Sequence, residues 1–222
     1  MRKPEDTQLT GSHADIIIMD DVSAPSSMLE NFNAYTGTGH IRVFSGRGVD
    51  PYSLQEIDID PADCIHAISQ INRFTGHALR PYSVGEHTIN LCNAVPQHLK
   101  KAALIHDWSE AYFNDIASPV KKRMPEYKKD ELAAQHVIFN RMGVDFKLLH
   151  ELEPYDKRIC ANEMRDLFNP AFIHYLEPLS DVIISTNDVN WRSVRSQLAH
   201  LTYREFEFIV LSDFARFHKR LK

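Results

Sequence analysis

Residues 103–110 read Ala103-Leu104-Ile105-His106-Asp107-Trp108-Ser109-Glu110, an apolar run that ends in adjacent imidazole and carboxylate side chains. Neighbouring residues on a helix point about 100° apart, so His106 and Asp107 can share one ion only where the helix faces another element. His87 precedes this pair in the chain, and Asp156 follows it. Two imidazoles and two carboxylates suit a divalent metal ion and leave coordination positions for water and substrate.

The alternative for the same residues is a buried His-Asp hydrogen bond inside a helical core. That interpretation gives Asp156 no role. It also places two carboxylates in a core without a cation, which is energetically costly. We therefore predict that His87, His106, Asp107 and Asp156 are metal ligands.

Signals for the start and end of helices recur around these residues. Asp60 and Pro61 are typical of an N-cap and a first helical position, and the residues from Ser83 to Glu86 form a capping-box pattern that places His87 in a first turn. Further helices are predicted over residues 99–113 and 126–142, and one inner face carries Asp156, Ile159, Cys160, Glu163 and Leu167. We predict an all-α bundle of six or more helices around one core.

The two ends of the chain differ from this central part. Residues 1–39 are rich in Asp, Ser, Gly and Thr, and they predict an irregular extension with one short strand at Ile16-Ile17-Ile18-Met19. Residues 40–222 form the predicted helical domain, which begins with a short strand at His40-Ile41-Arg42-Val43-Phe44. The tail has apolar residues at helical spacing, which predict a helix with a core or interface face: Phe206, Ile209, Val210, Phe214, Phe217 and Leu221.

Composition excludes some classes of protein. The formal net charge of −5 argues against a protein that binds a nucleic-acid polymer, although a small phosphate ligand needs only a few local cations. The three cysteines are far apart without a CxxC pair, which predicts free thiols in a reducing compartment. No signal peptide or membrane-length apolar run is evident, so we expect a cytoplasmic protein, in the host cytoplasm if it is phage-encoded.

Several motifs recur in an order that resembles one family. They are Ser45-Gly46-Arg47, Ala67-Ile68-Ser69, Arg73-Phe74-Thr75-Gly76-His77, Tyr82-Ser83-Val84-Gly85-Glu86-His87, His106-Asp107-Trp108-Ser109-Glu110-Ala111-Tyr112, Asp115-Ile116-Ala117-Ser118-Pro119-Val120-Lys121 and Asp156-Lys157-Arg158-Ile159-Cys160-Ala161-Asn162-Glu163. Over about residues 40–168 the chain resembles the bacterial and phage branch of the HD-domain metal phosphohydrolases. That branch includes deoxynucleoside 5′-monophosphatases and dATP triphosphohydrolases.

The resemblance implies roles for particular residues. Glu110 and Asp115 match the catalytic carboxylates, and the substrate contacts would be Arg73, Phe74, Pro119 and Lys121, with Phe74 packed against the deoxyribose. The alternatives are a surface carboxylate for Glu110, a turn aspartate for Asp115 and a core residue for Phe74. Glu153 stands where relatives often have a basic residue before the last aspartate, which removes one expected phosphate contact.

The resemblance also implies a function. We expect a divalent metal ion (Zn, Co, Mn or Mg), a nucleotide substrate, no membrane partner and a homo-oligomer. The expected reaction is hydrolysis of a dNTP, of dATP type, to deoxynucleoside and triphosphate. A deoxynucleoside 5′-monophosphatase and a non-catalytic nucleotide-sensing module are the alternatives. Cyclic-dinucleotide phosphodiesterases and di-iron oxygenases of this fold need an additional adjacent histidine pair, which His136 and His150 do not form.

Overall fold

The computed structural model of the protein describes residues 39–168 and 177–207. The predicted N-terminal extension lies outside the described residues except for its last position. The same holds for the short strand at residues 16–19 and for the tail stripe beyond Phe206.

A two-stranded antiparallel sheet opens the described part. Strand β1 (Ile41–Arg42) pairs with β2 (Gly48–Val49), with Ile41 opposite Val49 and Arg42 opposite Gly48. The strand predicted at residues 40–44 is therefore shorter than expected. It ends because the chain turns back at Val43, whose amide donates to the carbonyl of Arg47 at 3.0 Å.

Helices make up most of the rest, which confirms the prediction of an all-α bundle. The described residues contain α1 (Pro61–Ile68), α2 (Val84–Ala94), α3 (Lys100–Ile105), α4 (Glu110–Phe113), α5 (Ser118–Lys121), α6 (Pro125–Met142), α7 (Leu148–Leu167) and α8 (Trp191–Phe206). None of these helices is both long and apolar enough to cross a bilayer.

The predicted helix caps are present. The carboxylate of Asp60 accepts a hydrogen bond from the amide of Ala62 at 2.9 Å, ahead of Pro61. Ser83 and Glu86 form the reciprocal capping box, with distances of 3.1 Å and 3.3 Å. Gly143 ends α6 in the left-handed conformation, with φ of 63°. These local signals fix the start of α1, the end of α6 and the start of α2, the helix that carries His87.

Helix α2 lies at the centre of the bundle, in contact with α1, α3, α7 and α8. Its residues Val84, His87 and Leu91 are fully buried, as the sequence predicts. Gly85 lies against α8, where a Cβ atom would come within 2.8 Å of Val194 Cγ1. This close approach fixes α2, and with it His87, against the core.

The helix predicted over residues 99–113 is interrupted, and this prediction is wrong in detail. Residues 106–109 form a turn between α3 and α4, in which Trp108 N bonds Ile105 O at 3.1 Å and Glu110 N bonds Asp107 O at 3.0 Å. Side chains take two carbonyls that an α-helix would use: His106 Nδ1 bonds Ala103 O, and Gln135 Nε2 bonds His106 O. The backbone here forms hydrogen bonds between residues three apart, as in a 3₁₀-helix. Residues three apart then point the same way, so Glu110 lies on the same side of the turn as Asp107.

Candidate metal centre

Three of the predicted ligands meet at one point. The ligand atoms of His87, His106 and Asp156 all lie within 4.8 Å of one another. His87 Nε2 is 3.1 Å from Asp156 Oδ1 and 3.2 Å from His106 Nε2. The three residues come from α2, from the turn after α3 and from α7, so the fold brings together positions that are far apart in the chain.

The fourth predicted ligand, Asp107, lies beside them. Its Oδ2 is 3.1 Å from His106 Nε2 and 3.6 Å from His87 Nε2. Both imidazoles are buried, whereas the Asp156 side chain is 38% exposed. The cluster is therefore enclosed on the histidine side and accessible from solvent on the Asp156 side.

Hydrogen bonds behind the rings fix which nitrogen of each imidazole faces the cluster. His87 Nδ1 lies 2.6 Å from Glu163 Oε1, and His106 Nδ1 lies 2.8 Å from the carbonyl of Ala103. Both acceptors require a proton on Nδ1, so in the neutral rings both Nε2 atoms present lone pairs to the cluster. Two lone pairs and two carboxylates that converge in this way suit a divalent cation.

The charges around the cluster favour a proton on His87, which a bound metal ion would displace. Burial and Arg73 lower the pKa of His87, but the carboxylates of Glu163 and Asp156 outweigh them and raise it to about 10. Burial raises the pKa of Asp107, but His106, His87 and Arg73 together hold it well below its usual range. The carboxylates around the two rings therefore favour positive charge at the cluster, whether from a proton or from a metal ion.

Arg73, a predicted substrate contact, does lie next to the cluster. Its Nη1 is 3.7 Å from Asp107 Oδ2, and its Nε is 3.2 Å from Glu163 Oε2. Glu163 was predicted to lie on the inner face of helix α7, but no role was predicted for it. Its position seven residues after Asp156, two helical turns along the same face, is the signal that could have identified it.

Glu110 and Asp115 form an acidic group beside Asp107. Glu110 is 6% exposed, and its buried Oε2 has no hydrogen-bond partner among the described residues. Burial raises the pKa of Glu110, and the neighbouring charges of Asp107 and Asp115 raise it further. Burial likewise raises the pKa of Asp115, and the charge of Asp107 adds to the shift. Raised pKa values make these carboxyl groups better able to hold a proton than ordinary carboxyl groups, as a general acid or base requires.

The other predicted substrate residues lie further out. Lys121 forms an ion pair with Glu131 at 2.8 Å, and Pro119 is exposed in the first turn of α5. The ring of Phe74 packs edge-on against Phe168, with ring centroids 5.1 Å apart. Phe74 packs against a small cluster formed by Tyr82, Leu167 and Ile184. The alternative prediction for Phe74 was a residue of the main core, and this cluster is separate from that core.

A cleft of about 610 Å³ opens beside the cluster. His106, Asp107 and Asp156 form part of its wall. The rest of its lining is mixed, with apolar Leu132, Phe146, Leu149 and Leu152, basic Lys128 and Lys147, and polar or acidic Gln135, His150 and Glu153. A small anionic molecule with an apolar part therefore fits next to the candidate metal ligands.

Comparison with known proteins gives two relatives. The chain is 35% identical to the uncharacterized protein YfdR of Escherichia coli over 127 residues, which are 57% of this chain and 71% of YfdR. It is 30% identical to the 5′-deoxynucleotidase VP0926 of Vibrio parahaemolyticus over 107 residues, which are 46% of this chain and 47% of that protein. The match thus spans about half the length of the Vibrio protein. No model of a known protein family matches the chain.

Proposed function

This chain belongs to the same protein family as YfdR of Escherichia coli, and from its candidate metal centre and its similarity to the Vibrio 5′-deoxynucleotidase we propose that it is a metal-dependent 5′-deoxynucleotidase of the HD-domain type. The reaction would convert a deoxynucleoside 5′-monophosphate into deoxynucleoside and inorganic phosphate. The name of the Vibrio relative supports this substrate class. The triphosphohydrolase that the sequence analysis put first has no such support and becomes the second candidate.

One observation carries the proposal. Nε2 of His87 and Nε2 of His106 lie 3.2 Å apart with Asp156 and Asp107 around them. When both rings are neutral, their Nε2 lone pairs and the two carboxylates converge on one point, which suits a bound divalent cation. The order His, His-Asp, Asp along the chain is the ligand order that the resemblance implies.

The residues around the ligands supply the remaining chemistry. A divalent ion bound there would lower the pKa of a water molecule and polarise a phosphoryl oxygen. Arg73, held beside Asp107, offsets negative charge on the phosphate. Glu110 and Asp115, whose pKa values are raised by burial, hold and transfer protons at the attacking water and at the leaving oxygen. A sensing module without catalysis has no need for these two carboxylates.

The test is a metal analysis of the purified protein with a nucleotide panel. We expect about one tightly bound divalent ion per chain and release of inorganic phosphate from deoxynucleoside monophosphates. A chelator should abolish the activity, and added metal should restore it. Metal-loaded protein that releases phosphate from no nucleotide would refute the proposal.

A second candidate is hydrolysis of a deoxynucleoside triphosphate to deoxynucleoside and triphosphate. It is favoured by Lys128 and Lys147, which line the cleft next to the ligands and have no ion-pair partner among the residues that the structure describes. Two such cations suit phosphate groups beyond the first.

The two candidates differ in their product and in their use of these lysines. Under the second, dATP yields inorganic triphosphate, and Lys128→Ala with Lys147→Ala raises KM for dATP but not for dAMP. Lys129→Ala is the matched control, because Lys129 is exposed on α6 next to Lys128 and does not line the cleft. Equal KM changes for dATP and dAMP would leave only the monophosphatase.

A further inference from the structure

Glu163 joins three residues of the candidate site through one buried carboxylate. The residue is 0% exposed. Its Oε1 lies 2.6 Å from His87 Nδ1 and 2.9 Å from the hydroxyl of Tyr82, and its Oε2 lies 3.2 Å from Arg73 Nε. Both carboxylate oxygens are thus bonded, and the side chain is held in one orientation.

The bond to His87 determines how that ring meets the cluster. Because Glu163 accepts the proton on Nδ1, the Nε2 lone pair is directed toward Asp156 and His106. A carboxylate behind a metal-binding histidine fixes the tautomer and ring orientation and increases the basicity of the ligand nitrogen. Tyr82 supports the same oxygen and is itself fixed by Asn90, whose amide donates to the Tyr82 hydroxyl at 2.9 Å.

The bond to Arg73 determines where the positive charge lies. The Arg73 side chain is only 13% exposed, so its guanidinium needs an anionic partner. Glu163 provides one at 3.2 Å, whereas Asp107 is further away, at 3.7 Å. Without the charge of Glu163, the remaining close carboxylate is Asp107, and the guanidinium would compete with a cation for a candidate metal ligand.

We propose that Glu163 is a positioning residue that sets metal affinity and phosphate affinity together, by orienting His87 and by keeping Arg73 from neutralising Asp107. The proposal rests on the function proposed above. It assigns to α7 a second role besides supplying Asp156.

The matched pair of variants is Glu163→Gln and Glu86→Gln. Glu86 is also a buried carboxylate paired with an arginine, at 2.8 Å from Arg80 Nη2, and it lies next to His87 on α2. The Glu86 carboxylate accepts hydrogen bonds from Arg80 and from the Ser83 amide. Glu86→Gln therefore measures the general cost of removing a buried ion pair.

The measurements are Zn²⁺ affinity of metal-free protein by competition with a chelating dye, inorganic phosphate binding to the metal-loaded protein by calorimetry, and thermal unfolding. We expect Glu163→Gln to lose about 10- to 100-fold in Zn²⁺ affinity and to bind phosphate more weakly. Glu86→Gln should lower thermal stability by a comparable amount and leave Zn²⁺ affinity at the wild-type value. Glu163→Gln with wild-type Zn²⁺ affinity, or with a loss no larger than that of Glu86→Gln, would overturn the proposal.

A double variant separates the effect of Glu163 on His87 from its effect on Arg73. It also provides a second measurement if Glu163→Gln alone does not fold. Adding Arg73→Met to Glu163→Gln removes the uncompensated guanidinium, so Zn²⁺ affinity should recover part of its loss while phosphate binding stays weak. Zn²⁺ affinity in the double variant equal to the wild-type value would overturn the proposal, because the orientation of His87 would then not depend on Glu163. Wild-type protein that binds none of Zn²⁺, Co²⁺, Mn²⁺ and Mg²⁺ would instead refute the function proposed above.

Discussion

His87 Nε2 and His106 Nε2 lie 3.2 Å apart, while each ring has its Nδ1 engaged by an acceptor behind it, Glu163 for His87 and the Ala103 carbonyl for His106. Two neutral imidazoles arranged in this way present lone pairs to each other. The contact is favourable only with positive charge between or beside the rings. Asp107 and Asp156 complete a set of acceptors around the same point.

The first prediction concerns Asp107. Asp107→Ala removes a candidate ligand that lies 3.1 Å from His106 Nε2, so we expect the variant to lose both tight metal binding and the proposed activity. Elemental analysis after dialysis, together with phosphate release from dAMP, measures the two effects. Asp188→Ala, at an exposed aspartate, is the control. A fully metal-loaded and active Asp107→Ala protein would contradict the ligand assignment.

The second prediction concerns Glu110. The buried Oε2 of this residue has no partner among the described residues, which leaves it available to a water molecule or a substrate. Glu110→Gln keeps the shape but not the acid-base function, so kcat should fall about 100-fold or more, with the metal retained. Parallel kinetic and metal measurements separate the two. Turnover near the wild-type value would show that Glu110 has no part in the chemical step.

Local chemistry explains which features the sequence could predict. Asp60 and Ser83 begin helices because their side chains bond amides two or three residues later, and that pattern is readable without a structure. The four candidate ligands could be proposed from the sequence because a metal site restricts residue types strongly, and the structure brings His87, His106 and Asp156 together.

Features that depend on contacts between distant segments were not readable in the same way. The turn at residues 106–109 depends on Gln135, which takes the carbonyl of His106. The close approach of α8 to α2 was not readable either, because it depends on the absence of a side chain at Gly85. The spacing of Glu163 from Asp156 was readable, but its role was not, because its partners Arg73 and Tyr82 come close only in the folded chain.

The third prediction concerns the thiols. Burial raises the pKa of Cys64 to about 12 and that of Cys92 to about 11. A thiol with a raised pKa is protonated below that value, so at pH 8 the reactive thiolate is about a thousandth of the population or less. Both should react slowly with a disulfide reagent in native protein and rapidly in urea. Rapid reaction of Cys64 in the native state would contradict its burial.

The fourth prediction concerns Gly85. An alanine in a helix is normally favoured over glycine by about 1 kcal/mol, but here the new methyl group would lie 2.8 Å from Val194 Cγ1 and 3.1 Å from Ser69 Cα. The steric overlap should outweigh the gain in helix propensity. Gly85→Ala should therefore lower the free energy of unfolding by about 1–3 kcal/mol, measured by urea unfolding. Adding Val194→Ala relieves one contact and should cost less in the Gly85→Ala background than in wild type. Additive effects would contradict the close approach of α2 and α8.

The last prediction concerns Phe74 and the sugar of the substrate. Phe74 and Thr75 both have positive φ, 57° and 55°, a conformation that costs bulky and β-branched residues about 1–3 kcal/mol each. Such strain persists where surrounding contacts impose it. Here Arg73, bonded to Glu163, lies with its Cζ 5.3 Å from the Phe74 ring centroid. The loop therefore holds an aromatic ring next to the arginine that we assign to the phosphate.

We infer that this ring packs on the C2′ side of the sugar and leaves a 2′-hydroxyl without a hydrogen-bond partner. Burying that hydroxyl unsatisfied costs about 1–3 kcal/mol, or roughly 5- to 150-fold in kcat/KM. Phe74→Ala should reduce the preference for dAMP over AMP by that factor, measured with both substrates on metal-loaded protein. Phe168→Ala is the control, since it removes the edge-on partner of the ring but not the ring itself. If Phe74→Ala instead keeps the wild-type ratio and lowers the thermal midpoint as much as Phe168→Ala does, Phe74 serves only to pack the cluster around Tyr82.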